Sequence, residues 1–128
     1  MKSLSLLLIT ALCLHYNAKA QFSVSAGEQA TIIDEARPLI KSLLTRFSCE
    51  YIKGGVSINT RWGNSSSASY KGSIRYNSPN CNNISADLEI KVVQDGSEIS
   101  LSQVCIYMPT CFLGSPLDVY NWECKYSE

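Results

Sequence analysis

Residues 84–108 read ISADLEIKVVQ, then Asp95-Gly96, then SEISLSQVCIYM, and their reading decides the fold. Two runs of alternating apolar and polar residues flank the dipeptide most favoured in a two-residue hairpin turn. With Asp95 and Gly96 as the turn, Gln94 faces Ser97. Val92 then faces Ile99, Ile90 faces Leu101, Leu88 faces Gln103, Ala86 faces Cys105 and Ile84 faces Tyr107, all on one side of the ribbon. Asp87, Glu89, Lys91, Glu98, Ser100 and Ser102 fall on the other. One apolar and one wet face is the pattern of an antiparallel sheet covered on one side. The second strand departs from it. Val104, Ile106 and Met108 continue as apolar residues on the face that begins with Glu98 and Ser100. That end is covered on both sides, or it is an exposed patch that a partner binds.

Working outward, Ser25-Ala26-Gly27-Glu28 has the spacing of a capping box. Ala30, Ile33, Ala36, Ile40, Leu43 or Leu44, and Phe47 follow at helical intervals, with Asp34, Glu35, Arg37 and Lys41 opposite. The expectation is an amphipathic helix from Ala26 to Phe47. Pro38, inside it, removes a backbone donor and disfavours helical geometry at Arg37, which predicts a kink or a break. After Cys49 the period changes: Val56, Ile58, Thr60 and Trp62 alternate with Ser57, Asn59 and Arg61, and Tyr70, Ile74 and Tyr76 with Lys71, Ser73 and Arg75. Gly54-Gly55 is a tight turn or a bulge. The polar stretches 63–68 and 78–83 are turns, 109–116 a loop, and 117–126 a last strand in which Tyr120, Trp122, Cys124 and Tyr126 alternate. One helix followed by about five strands with hairpin-length connections implies an α+β domain, the helix packed on one face of an antiparallel sheet.

The first twenty residues, MKSLSLLLITALCLHYNAKA, combine a basic Lys2, a short apolar run and Ala18-Lys19-Ala20, the layout of a secretory signal peptide. The run is shorter than the roughly 20 residues that span a bilayer, so no membrane insertion is expected. Residues 21–128 then form one secreted domain. Removing Lys2 and Lys19 leaves 9 basic against 11 acidic residues, a net charge of 9 − 11 = −2. That balance, without a basic run, argues against nucleic acid as a partner.

Cys13 leaves with the leader, and Cys49, Cys81, Cys105, Cys111 and Cys124 remain. Disulfides are the usual supplement to a small core in an oxidising compartment. The hairpin brings Cys81 near Cys111. Cys105, expected on the core face, has Cys124 or Cys49 as its candidate partner. The odd cysteine is a buried thiol or links two chains into a disulfide-bonded dimer. Asn64-Ser65-Ser66 and Asn83-Ile84-Ser85 are glycosylation sequons.

Histidine is absent from residues 21–128, because His15 lies in the leader. That excludes Ser-His-Asp and Cys-His catalysis and histidine-ligated metals, and no phosphate-cradling or calcium loop occurs. No catalytic residue, metal or cofactor is expected. Asp87 and Glu89 share a face, but with Lys91 beside them they read as a solvated charge ladder.

The helix-then-meander order resembles the cystatin fold. Gly27 ahead of the helix, Tyr51-Ile52-Lys53-Gly54-Gly55-Val56 in the place of that family's first hairpin loop, and Asn121-Trp122 near the end carry the resemblance. Cys105 and Cys124 are spaced much as the family's last disulfide. The family's Gln-x-Val-x-Gly loop is absent, and no proline precedes Trp122. The resemblance implies a protease inhibitor acting through Gly27, the Lys53–Val56 turn and Trp122.

The leading expectation is a secreted, non-enzymatic binding protein that acts on an extracellular protein partner through its surface. Trp62, Val104, Ile106, Met108 and Trp122 are the interface candidates, since tryptophan anchors interfaces and the apolar run lacks an evident cover. A carrier enclosing a small apolar ligand between helix and sheet is the remaining alternative.

Overall fold

The computed structural model describes residues 20–64 and 66–127. The expected signal peptide, apart from Ala20, lies outside the described residues. The elements are β1 (Ala20–Ser23), α1 (Ala26–Arg46), β2 (Glu50–Gly63), β3 (Ser67–Asn77), β4 (Ile84–Asp95), β5 (Glu98–Phe112) and β6 (Ser115–Tyr126). The strands form one antiparallel sheet in sequence order, β1 to β6, with α1 across one face. This is the expected α+β layout of a helix on five strands, joined by the short β1, which pairs with the end of β2.

The helix is continuous. Ser25 Oγ accepts the Glu28 N–H at 3.2 Å, which caps the first turn. The return half of the capping box is not made, because the Glu28 carboxylate accepts the Tyr70 hydroxyl at 2.5 Å. Gln29 Oε1 accepts the Ile58 N–H at 2.9 Å. These two bonds moor the helix start on β2 and β3. At its other end, Arg46 donates to the Cys124 carbonyl at 2.6 Å. Pro38 produces no break: it lies on the exposed side, where water can serve the carbonyl that loses its donor. The buried stripe is Ile32, Ala36, Ile40, Leu43 and Leu44; Ala30 and Phe47, expected in it, are exposed. It packs on Ile58, Tyr70, Ile74, Tyr76, Leu88, Ile90, Val104 and Ile106, each at most 2% exposed.

The opening hairpin forms with two corrections. Its turn residues are Gly96 and Ser97, so Asp95 faces Glu98 and Val92 faces Leu101. Beyond that point Lys91 pairs with Gln103, which makes Ser102 an extra residue, a β-bulge in β5. A shift of one residue moves every following side chain to the opposite face. Ile90 therefore pairs with Val104 and Leu88 with Ile106, facing the helix, while Gln103, Cys105 and Tyr107 pass to the outer face. Val104 and Ile106 are 0% exposed and Met108 is half-buried, so these three do not form the expected surface patch. They are core. Cys105 correspondingly leaves the core face assigned to it.

The strand β2 is irregular for a similar reason. Gly54-Gly55 is a bulge within the strand, and a second register shift lies between Ile58 and Thr60. The second shift carries Trp62 to the outer face, away from Val56 and Ile58. Beside it, β2 and β3 approach so closely that a Cβ on Gly72 would stand 1.8 Å from the Ser57 carbonyl oxygen. Residues 109–116 are not a loop. β5 runs to Phe112, Leu113-Gly114 turns the chain with both φ angles positive (51° and 82°), and β6 begins at Ser115. Two disulfides form. Cys81–Cys111 fastens the β3–β4 connection to β5, and Cys105–Cys124 joins directly paired residues of β5 and β6.

Candidate functional site

The sheet face away from the helix carries the side chains that the core does not use. Reading across the strands, one rung is Trp62, Ser69, Lys91, Gln103 and Tyr126; the next is Thr60, Lys71, Glu89, Cys105 and Cys124; the third is Ser57, Ser73, Asp87, Tyr107 and Trp122. Opposite charges meet where Lys71 faces Glu89, an arrangement that favours pairing without taking either from water. Asp87 and Glu89 are part of this ladder.

At the β5–β6 side the polar rungs give way to aromatic rings. Tyr107 is flanked by Tyr120, with ring centroids 4.9 Å apart and planes at 18°, and by Trp122, at 4.8 Å and 32°. Tyr107 faces Trp122 directly, and Tyr120 lies two residues back along β6, opposite Pro109. These are the direct and diagonal neighbours within reach of an aromatic side chain. Buttressed rings of this kind present large contact area that is already ordered. Tyr120 is 38% and Trp122 48% exposed. Trp122 also walls a shallow depression of about 400 Å³ lined by Asn59, Lys71, Ser73, Asp87 and Glu89. At the hairpin tip Phe112, Leu113, Leu117 and Val119 are exposed, Leu113 to 85%.

Of the expected interface residues, Trp62 and Trp122 share this face but stand on β2 and β6, with three strands between them. Trp62 has the Lys71 ammonium 5.7 Å from its ring centroid. The sequence pattern did not single out Tyr107, because the Ser102 bulge decides that it faces outward. A second feature was also missed. Between α1 and β2 a cleft of about 840 Å³ is lined by Arg37, Lys41, Lys53, Glu50 and Tyr51, a locally basic site on a chain with no net charge. Arg37 and Lys41 lie one helical turn apart on the flank toward β2, and nothing in the helical pattern pointed to Lys53 as their neighbour.

Among the described residues Cys49 is the free cysteine, and it is 8% exposed. Its thiol is aimed at the Phe47 carbonyl, 3.5 Å away, and burial pushes its pKa up. A disulfide-linked dimer through Cys49 requires an accessible thiolate, and this environment opposes one. Both sequon asparagines are exposed. Asn64 Oδ1 accepts the N–H groups of Ser66 and Ser67, each at 2.9 Å, while Asn83 sits at φ 54° with its Oδ1 taking a bond from Arg75.

The inhibitor edge implied by the cystatin resemblance is not assembled. Gly27 begins the helix beside the Ile58–Tyr70 region, the Lys53–Val56 stretch is a bulge inside β2 next to Arg75, and Trp122 belongs to β6 at the far side of the sheet. The carrier alternative needs a void between helix and sheet, where the large side chains of Ile40, Leu43, Leu44, Tyr70, Leu88 and Ile106 are instead packed. No protein-family model, curated protein or solved structure matches this chain, so no known fold supports the layout resemblance either.

Proposed function

We propose that this chain is a secreted, non-enzymatic binding protein that engages an extracellular protein partner through the outer sheet face at the β5–β6 side. The observation that carries this reading is the ordered stack of Tyr120, Tyr107 and Trp122 on a face that no described element of the chain covers. Tyrosine and tryptophan held rigid and half-exposed are the residue types that dominate binding energy at interfaces. The signal-peptide pattern, the two disulfides, and the lack of any described helix long and apolar enough to cross a membrane support an extracellular setting. An N-linked glycan on Asn64 belongs to the same reading, since its loop is exposed and its Asx contacts use the side-chain oxygen and not the amide nitrogen a glycan takes.

The test compares wild type with a Tyr120→Ala/Trp122→Ala double variant, both secreted from cultured cells and checked for equal thermal stability. Each is used to capture proteins from the native extracellular fluid. A specific protein retained by wild type and lost by the double variant is the expected result. Equal capture by both overturns the assignment of this face.

A further inference from the structure

We propose that the cleft between α1 and β2 binds a small organic molecule through a phosphate or sulfate group. Its lining comes from α1, β2 and the turn between them, while the Tyr107–Trp122 stack stands on β5 and β6. The two sites therefore stand or fall separately. Between the pairs Tyr51–Tyr76 and Val56–Ile74, β2 carries four residues, Ile52 to Gly55, where β3 has only Arg75. The surplus bows β2 out of the ladder and brings Lys53 and Gly54 to the cleft. Two glycines make the bow possible. Gly54 turns at φ 77°, and a Cβ on Gly55 would stand 2.8 Å from the Arg75 carbonyl oxygen. Bulges gather beside functional sites, where they re-aim side chains. Here the side chain is Lys53.

The groups that Lys53 meets are of its own sign. Arg37 and Lys41, one turn apart on α1, line the same cleft, although like charges at that spacing weaken a helix. Tyr51 holds both. Arg37 Nε donates to the Tyr51 hydroxyl at 3.5 Å, and the Lys41 ammonium lies 5.2 Å from the centroid of its ring. Arg37 Nη2 also donates to Asp34 at 2.8 Å, the one ion pair among the described residues. Arg37 Nη1, Lys41 and Lys53 thus lack a carboxylate partner there, although Glu50 lines the same cleft. Three cations against Asp34 and Glu50 leave the site with a net charge of +1. On the outer sheet face, by contrast, Lys71 sits opposite Glu89. Cations gathered from two elements into one concavity without a counter-ion attract an anion from outside.

The number and spread of the donors select the anion. A carboxylate has two oxygens in one plane and is satisfied by a single guanidinium fork. A phosphate or sulfate monoester offers three terminal oxygens in a tetrahedral array, one each for Arg37, Lys41 and Lys53. The Tyr51 hydroxyl, whose oxygen already accepts from Arg37, keeps its own proton to donate. A cleft of about 840 Å³ is far larger than the anion alone needs and matches small-molecule sites of roughly 300–1,000 Å³. The group therefore arrives on an organic body. A chain of many anionic groups would instead need a basic stripe, which the sequence lacks.

Amide NMR spectra of the purified, folded protein, titrated at low salt with phenyl phosphate, phenyl sulfate and inorganic phosphate, read the result. Saturable shifts centred on residues 37–54 are expected, with a Kd below about 1 mM for the tighter ester. Inorganic phosphate should bind more weakly than that ester. Lys41→Glu and Lys53→Glu should each weaken the ester by about tenfold or more, and Lys53→Arg should keep most of the affinity. Lys53 is exposed, so its variants keep the test valid if Lys41→Glu disturbs the helix. Lys91→Glu makes the same charge change on the outer sheet face and should leave binding as it is. Saturation by one ester more tightly than the other upholds the proposal and names the group. No saturation by either ester at about 10 mM overturns it, as does equal binding of inorganic phosphate. Wild-type affinity in Lys53→Glu, or equal weakening by Lys91→Glu, also overturns it. Binding confined to a sulfated polysaccharide such as heparin, with both esters failing, does the same.

Discussion

Replacing Ile106 by alanine tests the Ser102 bulge and everything the outer face owes to it. In the bulged register Ile106 faces the helix, pairs with Leu88 and is 0% exposed. In an unbroken register it would share the wet face with Glu98 and Ser100. Removing three buried carbons at about 0.8 kcal/mol each removes about 2.4 kcal/mol. A residual cavity of roughly 50 Å³ adds about 1.2 kcal/mol at about 24 cal/mol per Å³. The expected loss is therefore about 3.5 kcal/mol, within the range of about 2–5 kcal/mol for such truncations. In a domain of this size that lowers the melting temperature by more than about 10 °C. Ile99→Ala is the matched control, on the near side of the bulge and 47% exposed, and should cost less than about 1 kcal/mol. Urea unfolding with the disulfides intact, followed by tryptophan fluorescence, measures both. A loss below about 1 kcal/mol for Ile106→Ala, or equal losses for the two, would refute the bulged register.

Three further outcomes are expected. Gly72→Ala should prevent folding or unfold the β2–β3 pair, since its Cβ would stand 1.8 Å from the Ser57 oxygen and 2.7 Å from the Ile58 Cα; a variant with wild-type stability would show that these strands do not approach as described. The Tyr70 and Tyr76 hydroxyls and the Cys49 thiol are all pushed up by burial, Tyr70 additionally by its bond to the Glu28 carboxylate. The unfolded chain gives up these protons first, so stability is full below about pH 8 and falls as the pH climbs through the ordinary thiol and phenol ranges. Tyr76→Phe should flatten that fall, and a chemical-denaturation series from pH 7 to 11 in which the two proteins decline with the same slope would count against it. A maleimide reagent should leave the native chain of residues 21–128 unmodified and add a single adduct, at Cys49, once denaturant is present; rapid labelling of the folded protein would mean the thiol is not buried.

The helix was the easiest element to read, because capping and periodicity agreed: Ala26–Phe47 was expected and Ala26–Arg46 is found. Its break at Pro38 was not realised, since a proline on the exposed face loses its hydrogen bond where water replaces it. The hairpin was legible in existence but not in register. The signal for the bulge was nevertheless present: apolar residues fall on odd numbers at Ile99 and Leu101 and on even numbers at Val104, Ile106 and Met108. Such a change of phase has two physical explanations, a strand covered on both faces or an extra residue. The first needs another layer of structure, whereas the second needs only Ser102 unpaired. The basic cleft of Arg37, Lys41 and Lys53 was illegible for a different reason. Its members come from two elements whose contact is set by the helix moorings at Ile58, Tyr70 and Cys124.

The bulge also explains why the aromatic rings on β6 are held in place. Past Ser102 the outer face receives Cys105 and Tyr107 in consecutive rungs. Cys105 locks β6 by its disulfide to Cys124, and Tyr107 holds the register by stacking between Tyr120 and Trp122. The Ser102 carbonyl accepts the Ser127 N–H at 2.8 Å, which ties the end of β6 to the bulge itself. Covalent bond, ring stack and main-chain bond thus fix the same strand in the same register. Under the proposed function, the rings that a partner would meet are ordered before it arrives, so little conformational entropy remains to be lost on binding. A chain without the extra residue would turn Cys105 and Tyr107 toward the helix, and β6 would keep its length but lose the contacts that hold Tyr120 and Trp122 in place.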